Sequence, residues 1–106
     1  MLHRIVKLTF TPAGLEALEQ VLAKAAARVR TREGCLHMHM MRSDEEPGLI
    51  FTYSLWRDAG ALDAYRHSEA FQTMWGTIKP HFAARPEAHS LRLANGSLPV
   101  DISQTT

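Results

Sequence analysis

Two segments of alternating polarity, Cys35 to about Arg42 and Leu49 to Trp56, are separated only by Ser43-Asp44-Glu45-Glu46-Pro47-Gly48. A polar turn between two period-2 segments predicts a β-hairpin, which makes its strands antiparallel neighbours. In the first segment Cys35, His37, His39 and Met41 point one way, and Leu36, Met38 and Met40 the other. In the second, Phe51, Tyr53 and Leu55 oppose Ile50, Thr52, Ser54 and Trp56. Each flank of the hairpin carries a helical stretch and one further strand.

The N-terminal strand, Leu2 to Phe10, sets Val6, Leu8 and Phe10 against His3, Ile5, Lys7 and Thr9. Thr11-Pro12 reads as a helix start, a hydroxyl cap followed by a residue that needs no donor. Leu15, Leu18, Leu22, Ala25 and Val29 then recur at helical steps, up to Gly34. After the hairpin, Asp58 caps a short helix with Leu62 and Tyr65 inward. Ser68 caps another, with Phe71, Met74, Trp75, Ile78 and Phe82 on one stripe, and Pro80 ends regular helix there. Arg85-Pro86 breaks the element, and Ala88 to Ala94 forms the last strand. Two crossover helices around a hairpin give an α+β, ferredoxin-like fold: a four-stranded antiparallel sheet with helices on one face. Residues 1–95 form this domain, and 96–106 form a polar tail with Pro99, Val100 and Ile102.

Composition narrows the function classes. At 106 residues the chain fits one domain and excludes an eight-stranded α/β barrel. A net charge of +1 with scattered bases argues against nucleic acid as partner. One cysteine excludes an internal disulfide framework, and a buried, inert thiol is expected at Cys35. No run of 18 apolar residues spans a membrane. Lys7 interrupts the apolar order that a secretion signal requires, so a cytoplasmic protein is expected. Ile5, Ile50 and parts of the first hairpin strand are expected on the sheet face that the helices leave bare. Stacking of two such faces would make a homodimer.

Several motifs resemble the antibiotic-biosynthesis monooxygenase family. They are Glu33-Gly34-Cys35, Tyr53-Ser54-Leu55-Trp56-Arg57-Asp58, the run from Ala61 to Phe71, and Ala88-His89-Ser90-Leu91, within a likeness spanning about residues 2–94. The resemblance implies a dimeric α+β barrel and a monooxygenase in which a bound phenol or quinol meets molecular oxygen without metal or cofactor. Trp56 matches the family's frequent pocket tryptophan. Thr52 stands where quinol-oxidising members carry an Asn four residues before it. In haem-degrading relatives an Asn, a Trp and a His fall at about Val6, Trp56 and Trp75, so haem degradation is disfavoured.

The candidate catalytic residues are therefore Trp56, Thr52 and Tyr65, with Trp75, Phe71, Tyr53, His37 and His39 binding a small aromatic substrate. Each has a plainer reading. Trp56, Phe71 and Trp75 would equally serve a core, and Tyr65 would satisfy a backbone carbonyl. His37 and His39 project together, but the sequence places no third ligand beside them, so no metal is expected. Lys79 and His81 would guard a pocket mouth or lie on the surface. The alternative function is a non-catalytic dimeric module, ligand-binding or stress-associated, and beyond it a dimer whose aromatics are all core.

Overall fold

The computed structural model describes residues 1–98. The tail's Pro99, Val100 and Ile102 lie outside the described residues. The elements run β1 (Leu2–Thr9), α1 (Leu15–Val29), β2 (Cys35–Arg42), β3 (Leu49–Trp56), α2 (Ala59–Arg66), α3 (Glu69–Ile78) and β4 (Glu87–Leu91). The strands form one antiparallel sheet in the order β2-β3-β1-β4, which is the ferredoxin-like arrangement expected from the hairpin and its crossovers.

Register sorts the side chains into two faces, because residues directly opposite in a sheet share a side. Met38, Ser54, Arg4 and Ser90 form one row beneath the helices, and Met40, Thr52, Val6 and Ala88 form the next. On the reverse, His39, Tyr53, Ile5 and His89 make a row, with Met41, Phe51, Lys7 and Glu87 beside it. The alternation read from the sequence holds along β1, β3 and β2 from His37 onward. At Cys35 a bulge breaks it: Cys35 pairs with Trp56 and packs against the helix-covered core, not on the face of His37, His39 and Met41 expected for it. Ile50 also departs from the face expected of it: it is fully buried with Leu8, Leu18, Leu22 and Ile78 under the helices. Its even-numbered neighbours Thr52 and Ser54 face the same way, as parity demands.

The apolar interior has two centres. Leu8, Phe10, Leu18, Leu22, Ile50 and Ile78 form one, and Leu2, Val29, Trp56, Ala61 and Leu62 the other. Two of the motifs meet beside the second. The Arg57 backbone N–H donates to the Gly34 carbonyl at 2.8 Å, and Arg57 pairs with Glu33 at 3.6 Å. Gly34 has φ 84°, and a Cβ there would collide with the Ala61 methyl. The left-handed backbone and the close approach both require glycine.

Asp58 and Ser68 cap their helices as expected: Asp58 Oδ1 accepts from Ala61 N–H at 2.9 Å, and Ser68 Oγ from Phe71 N–H at 3.2 Å. Pro80 sits in a 3-10 turn, Lys79–His81, that follows α3 directly. Thr11 does not cap α1. Its N–H donates to the His81 carbonyl at 3.0 Å, which ties it to the chain beyond α3, and the helix begins after Gly14. The buried stripe of α1 is Leu18, Leu22, Ala26 and Val29. β4 stops at Leu91, short of the expected Ala94.

Candidate functional site

Between the helices and the sheet lies a cavity of about 430 Å³. Thr52, Ser54 and Arg4 rise from its floor, and Tyr65, Phe71 and Trp75 stand along its helical side. Volume and lining fit a small-molecule pocket, which is typically apolar with a few polar groups to orient the ligand.

The aromatic wall is continuous. Trp56 stacks on Tyr65 at 5.4 Å between centroids, and Tyr65 meets Phe71 edge-on at 5.1 Å. Phe71 lies nearly parallel to Trp75, 5.7 Å away and tilted by 14°, and Trp75 contacts Phe82 at 5.4 Å. The helical spacing of Phe71 and Trp75 after the Ser68 cap puts these two rings on one stripe of α3, and Phe82 joins them from the extended chain after the 3-10 turn. Offset parallel rings of this kind leave flat faces against which a planar ligand stacks.

Trp56 itself does not line the cavity. It is fully buried, and its indole N–H donates to Ser54 Oγ at 2.8 Å. That bond occupies an acceptor site of Ser54 and leaves the hydroxyl proton free to donate. Thr52 stands two residues along the same strand, facing the same side. Together they form a short hydroxyl ladder on the cavity floor.

Tyr65 spans the wall and the neighbouring groove between α1 and α3. Burial pushes its hydroxyl up to about 12, against the opposing pull of Arg32. The Arg32 guanidinium carbon lies 5.7 Å from the ring centroid, within cation–π reach. Tyr65 is therefore protonated at neutral pH, a hydrogen-bond donor and not a base.

Arg4 is the residue that sequence reading passed over. It lies on the helix-facing side of β1 and donates from Nη1 to Ser90 Oγ at 2.9 Å. Burial, followed by the nearby Arg66 charge, lowers its pKa. Arg66 lines the same cavity from the end of α2, and the Gln72 amide N–H donates to its backbone carbonyl at 3.0 Å. The signal for Arg4 was in the alternation: it shares parity with Val6 and Leu8.

Three of the expected site residues lie elsewhere. Tyr53, His37 and His39 occupy the opposite sheet face, because their odd-numbered positions alternate away from Thr52, Met38 and Met40. There the Tyr53 hydroxyl and His3 Nδ1 are 2.7 Å apart, and His37 Nε2 and His39 Nδ1 are 2.8 Å apart. Burial, then the neighbouring His37 and Arg30, lowers the His39 pKa, and burial raises that of Tyr53. Among the described residues, no group of three His, Cys, Asp or Glu side chains is arranged to hold a metal ion. Cys35 is half-buried; its thiol donates to the His37 carbonyl at 3.6 Å, and burial raises its pKa. Lys79 and His81 are exposed and are not part of the cavity lining.

The sequence profile of the antibiotic biosynthesis monooxygenase family matches residues 1–75. The chain belongs to that family. Solved structures agree on its fold. One described as an antibiotic biosynthesis monooxygenase is 19% identical, with a TM-score of 0.85 over 90% of this chain and 100% of that one. PA3566 from Pseudomonas aeruginosa is 28% identical, with a TM-score of 0.79 over 88% and 94%. A variant of SnoaB, a cofactor-independent oxygenase from Streptomyces nogalater, is 17% identical, with a TM-score of 0.78 over 93% and 97%. No curated protein sequence matches the chain.

Proposed function

We propose that this family member is a cofactor-independent monooxygenase acting on a small phenol or quinol held in the helix-covered cavity. The observation that carries the reading is the pairing of a flat aromatic wall, Phe71 and Trp75, with the hydroxyl ladder Thr52 and Ser54 across the same space. The wall holds a planar ring. The ladder and the protonated Tyr65 are donors suited to an oxygen that becomes negative as the phenol loses its proton to solvent water. The deprotonated ring is electron-rich enough to reduce oxygen. One oxygen atom replaces two ring hydrogens, counting the phenolic proton, to give a quinone, and the other leaves as water. Trp56 acts as a positioning residue, holding Ser54 from below and Tyr65 by stacking.

The bare sheet face supports a homodimer. Met41 and Leu91 are 48% and 47% exposed there, beside the half-buried Ile5 and Phe51. A second copy would cover these side chains, in line with the small buried fraction a chain of this length attains alone.

The test is turnover of 1-naphthol under ¹⁸O₂, followed by oxygen uptake and mass spectrometry. The reading predicts one labelled atom per product quinone. Thr52→Val should lower kcat/KM on the order of 100-fold, the usual cost of losing an oxyanion donor, and Thr52→Ser should restore most of it. Among the described residues no group lining the cavity is a base at neutral pH, which favours as second reading a module that binds aromatics without turning them over. Saturable quenching of tryptophan fluorescence by 1-naphthol, with no oxygen consumed, would establish that alternative.

A further inference from the structure

The charges of the cavity point to a narrower ligand class. Among the described residues its charged lining residues are Arg4 and Arg66, and no Asp or Glu lines it. Arg66 already has a neighbour: its Nη1 lies 4.0 Å from Asp63 Oδ1 on the surface of α2. Arg4 has none. Among the described residues no carboxylate lies within ion-pair distance of its guanidinium, whose side-chain partner is the neutral Ser90 hydroxyl. The position sharpens the contrast, since the neighbours of Arg4 on the same side of β1 are Leu2 and Val6.

Holding a cation between a sheet and its helices costs desolvation energy, and a lone serine oxygen offsets little of it. An anionic ligand would offset more, because a guanidinium takes a carboxylate through two parallel N–H bonds. Arg4 stands in the row next to Thr52, on the floor that faces the aromatic wall. A ligand with its ring against Phe71 and Trp75 would thus present one substituent to the hydroxyl ladder and another to Arg4. A guanidinium without a carboxylate partner matches one negative charge.

We propose that the cavity is built for a planar aromatic carrying a carboxylate, with Arg4 as its receptor and Arg66 reinforcing the field at the same end. This rests on the cavity being the substrate site, and it names the substrate class of that site. Burial and the Arg66 charge lower the Arg4 pKa from a value high enough that the guanidinium remains cationic at neutral pH.

The experiment compares binding of 1-hydroxy-2-naphthoate and of neutral 1-naphthol to the full chain, by calorimetry and tryptophan quenching. The acid should bind at least about tenfold more tightly in dilute buffer, with the preference shrinking as salt is raised. Arg4→Met, which keeps the apolar stem, should abolish the preference by weakening the acid far more than 1-naphthol; Arg4→Lys should retain part of it. Equal binding of the two ligands by the unaltered protein would overturn the proposal, and that comparison needs no variant to fold. An undiminished preference in folded Arg4→Met would also overturn it. Tight, Arg4-dependent binding without oxygen uptake would uphold this inference and remove the monooxygenase reading. Turnover of 1-naphthol without any preference for the acid would do the reverse.

Discussion

The two faces of one sheet, built by alternate residues of the same strands, differ in almost every property. Beneath the helices Thr52, Ser54 and Arg4 are the polar groups of a floor otherwise made by residues such as Val6, Leu8 and Met38. On the reverse, imidazoles and a phenol are bonded to one another: His3 with Tyr53, and His37 with His39. The first face has donors directed at a cavity, so it can do something to a ligand. The second satisfies its own polar groups and exposes Met41 and Leu91, so it suits a surface that must be covered. A shift of one residue in any strand would exchange these roles, and for that reason the register matters more to this protein than any single side chain.

The comparison is best broken from the covered side. Trp56→Ala should destabilise the fold by ~3–5 kcal/mol, since it removes a fully buried ring and leaves Ser54 without its donor. Met41→Ala on the bare face should cost under ~0.5 kcal/mol in dilute protein. Urea melts of both variants measure the contrast, and equal losses would dissolve it. On the bare face the larger effect is in association. Phe51→Asp should raise the dissociation constant of the proposed dimer at least ~100-fold by forcing a carboxylate and its cross-strand neighbour Lys7 to lose water in the seam, with the circular dichroism of the fold unchanged. Sedimentation velocity reads this directly.

Acid should separate the faces further. Burial, His37 and Arg30 hold His39 below the usual imidazole value, so the unfolded chain binds its proton first. The contribution of His39 to stability is complete above about pH 6.5 and is lost as the pH falls through the lowered folded value. His37 Nε2 lies 2.8 Å from His39 Nδ1 on this face. Around them stand His3, His89, Lys7 and Arg30 as bases or cations, with Glu87 paired to Lys7 and Tyr53 protonated. Stability followed from pH 7.5 to 5 should therefore decline, and His39→Gln should flatten the decline. A small effect is also expected at that exposed Lys7–Glu87 pair, 3.6 Å apart, where Lys7→Ala should cost under ~1 kcal/mol.

Much of this was legible in the sequence for a simple reason: strand faces follow parity. The hairpin, the Asp58 and Ser68 caps and the break at Pro80 each depend on local chemistry, and the structure carries them as read. Thr11 was misread because its N–H is bonded to His81, a partner 70 positions away that no local pattern reveals. The site was legible as a composition of aromatics but not as a place. Trp56 and Tyr65 do stack, yet only Tyr65 reaches the cavity, since the indole turns to Ser54. Tyr53, His37 and His39 drew notice as chemically capable residues, although their own alternation puts them on the far side. Arg4 escaped notice because a charged residue near a terminus reads as surface. Its hydrogen-bond partner Ser90 and its charged neighbour Arg66 come from β4 and α2, elements far along the chain.

The central claim is that small aromatics enter beneath the helices while the reverse face stays free for a second copy, and the five methionines are placed to test it. Met38 and Met74 line the cavity, whereas Met41 lies on the bare face. With ¹³C-methyl methionine, titration of 1-naphthol should shift the Met38 and Met74 resonances in a saturable way and leave Met41 where it was. Movement of Met41 with Met38 and Met74 unchanged would contradict the account.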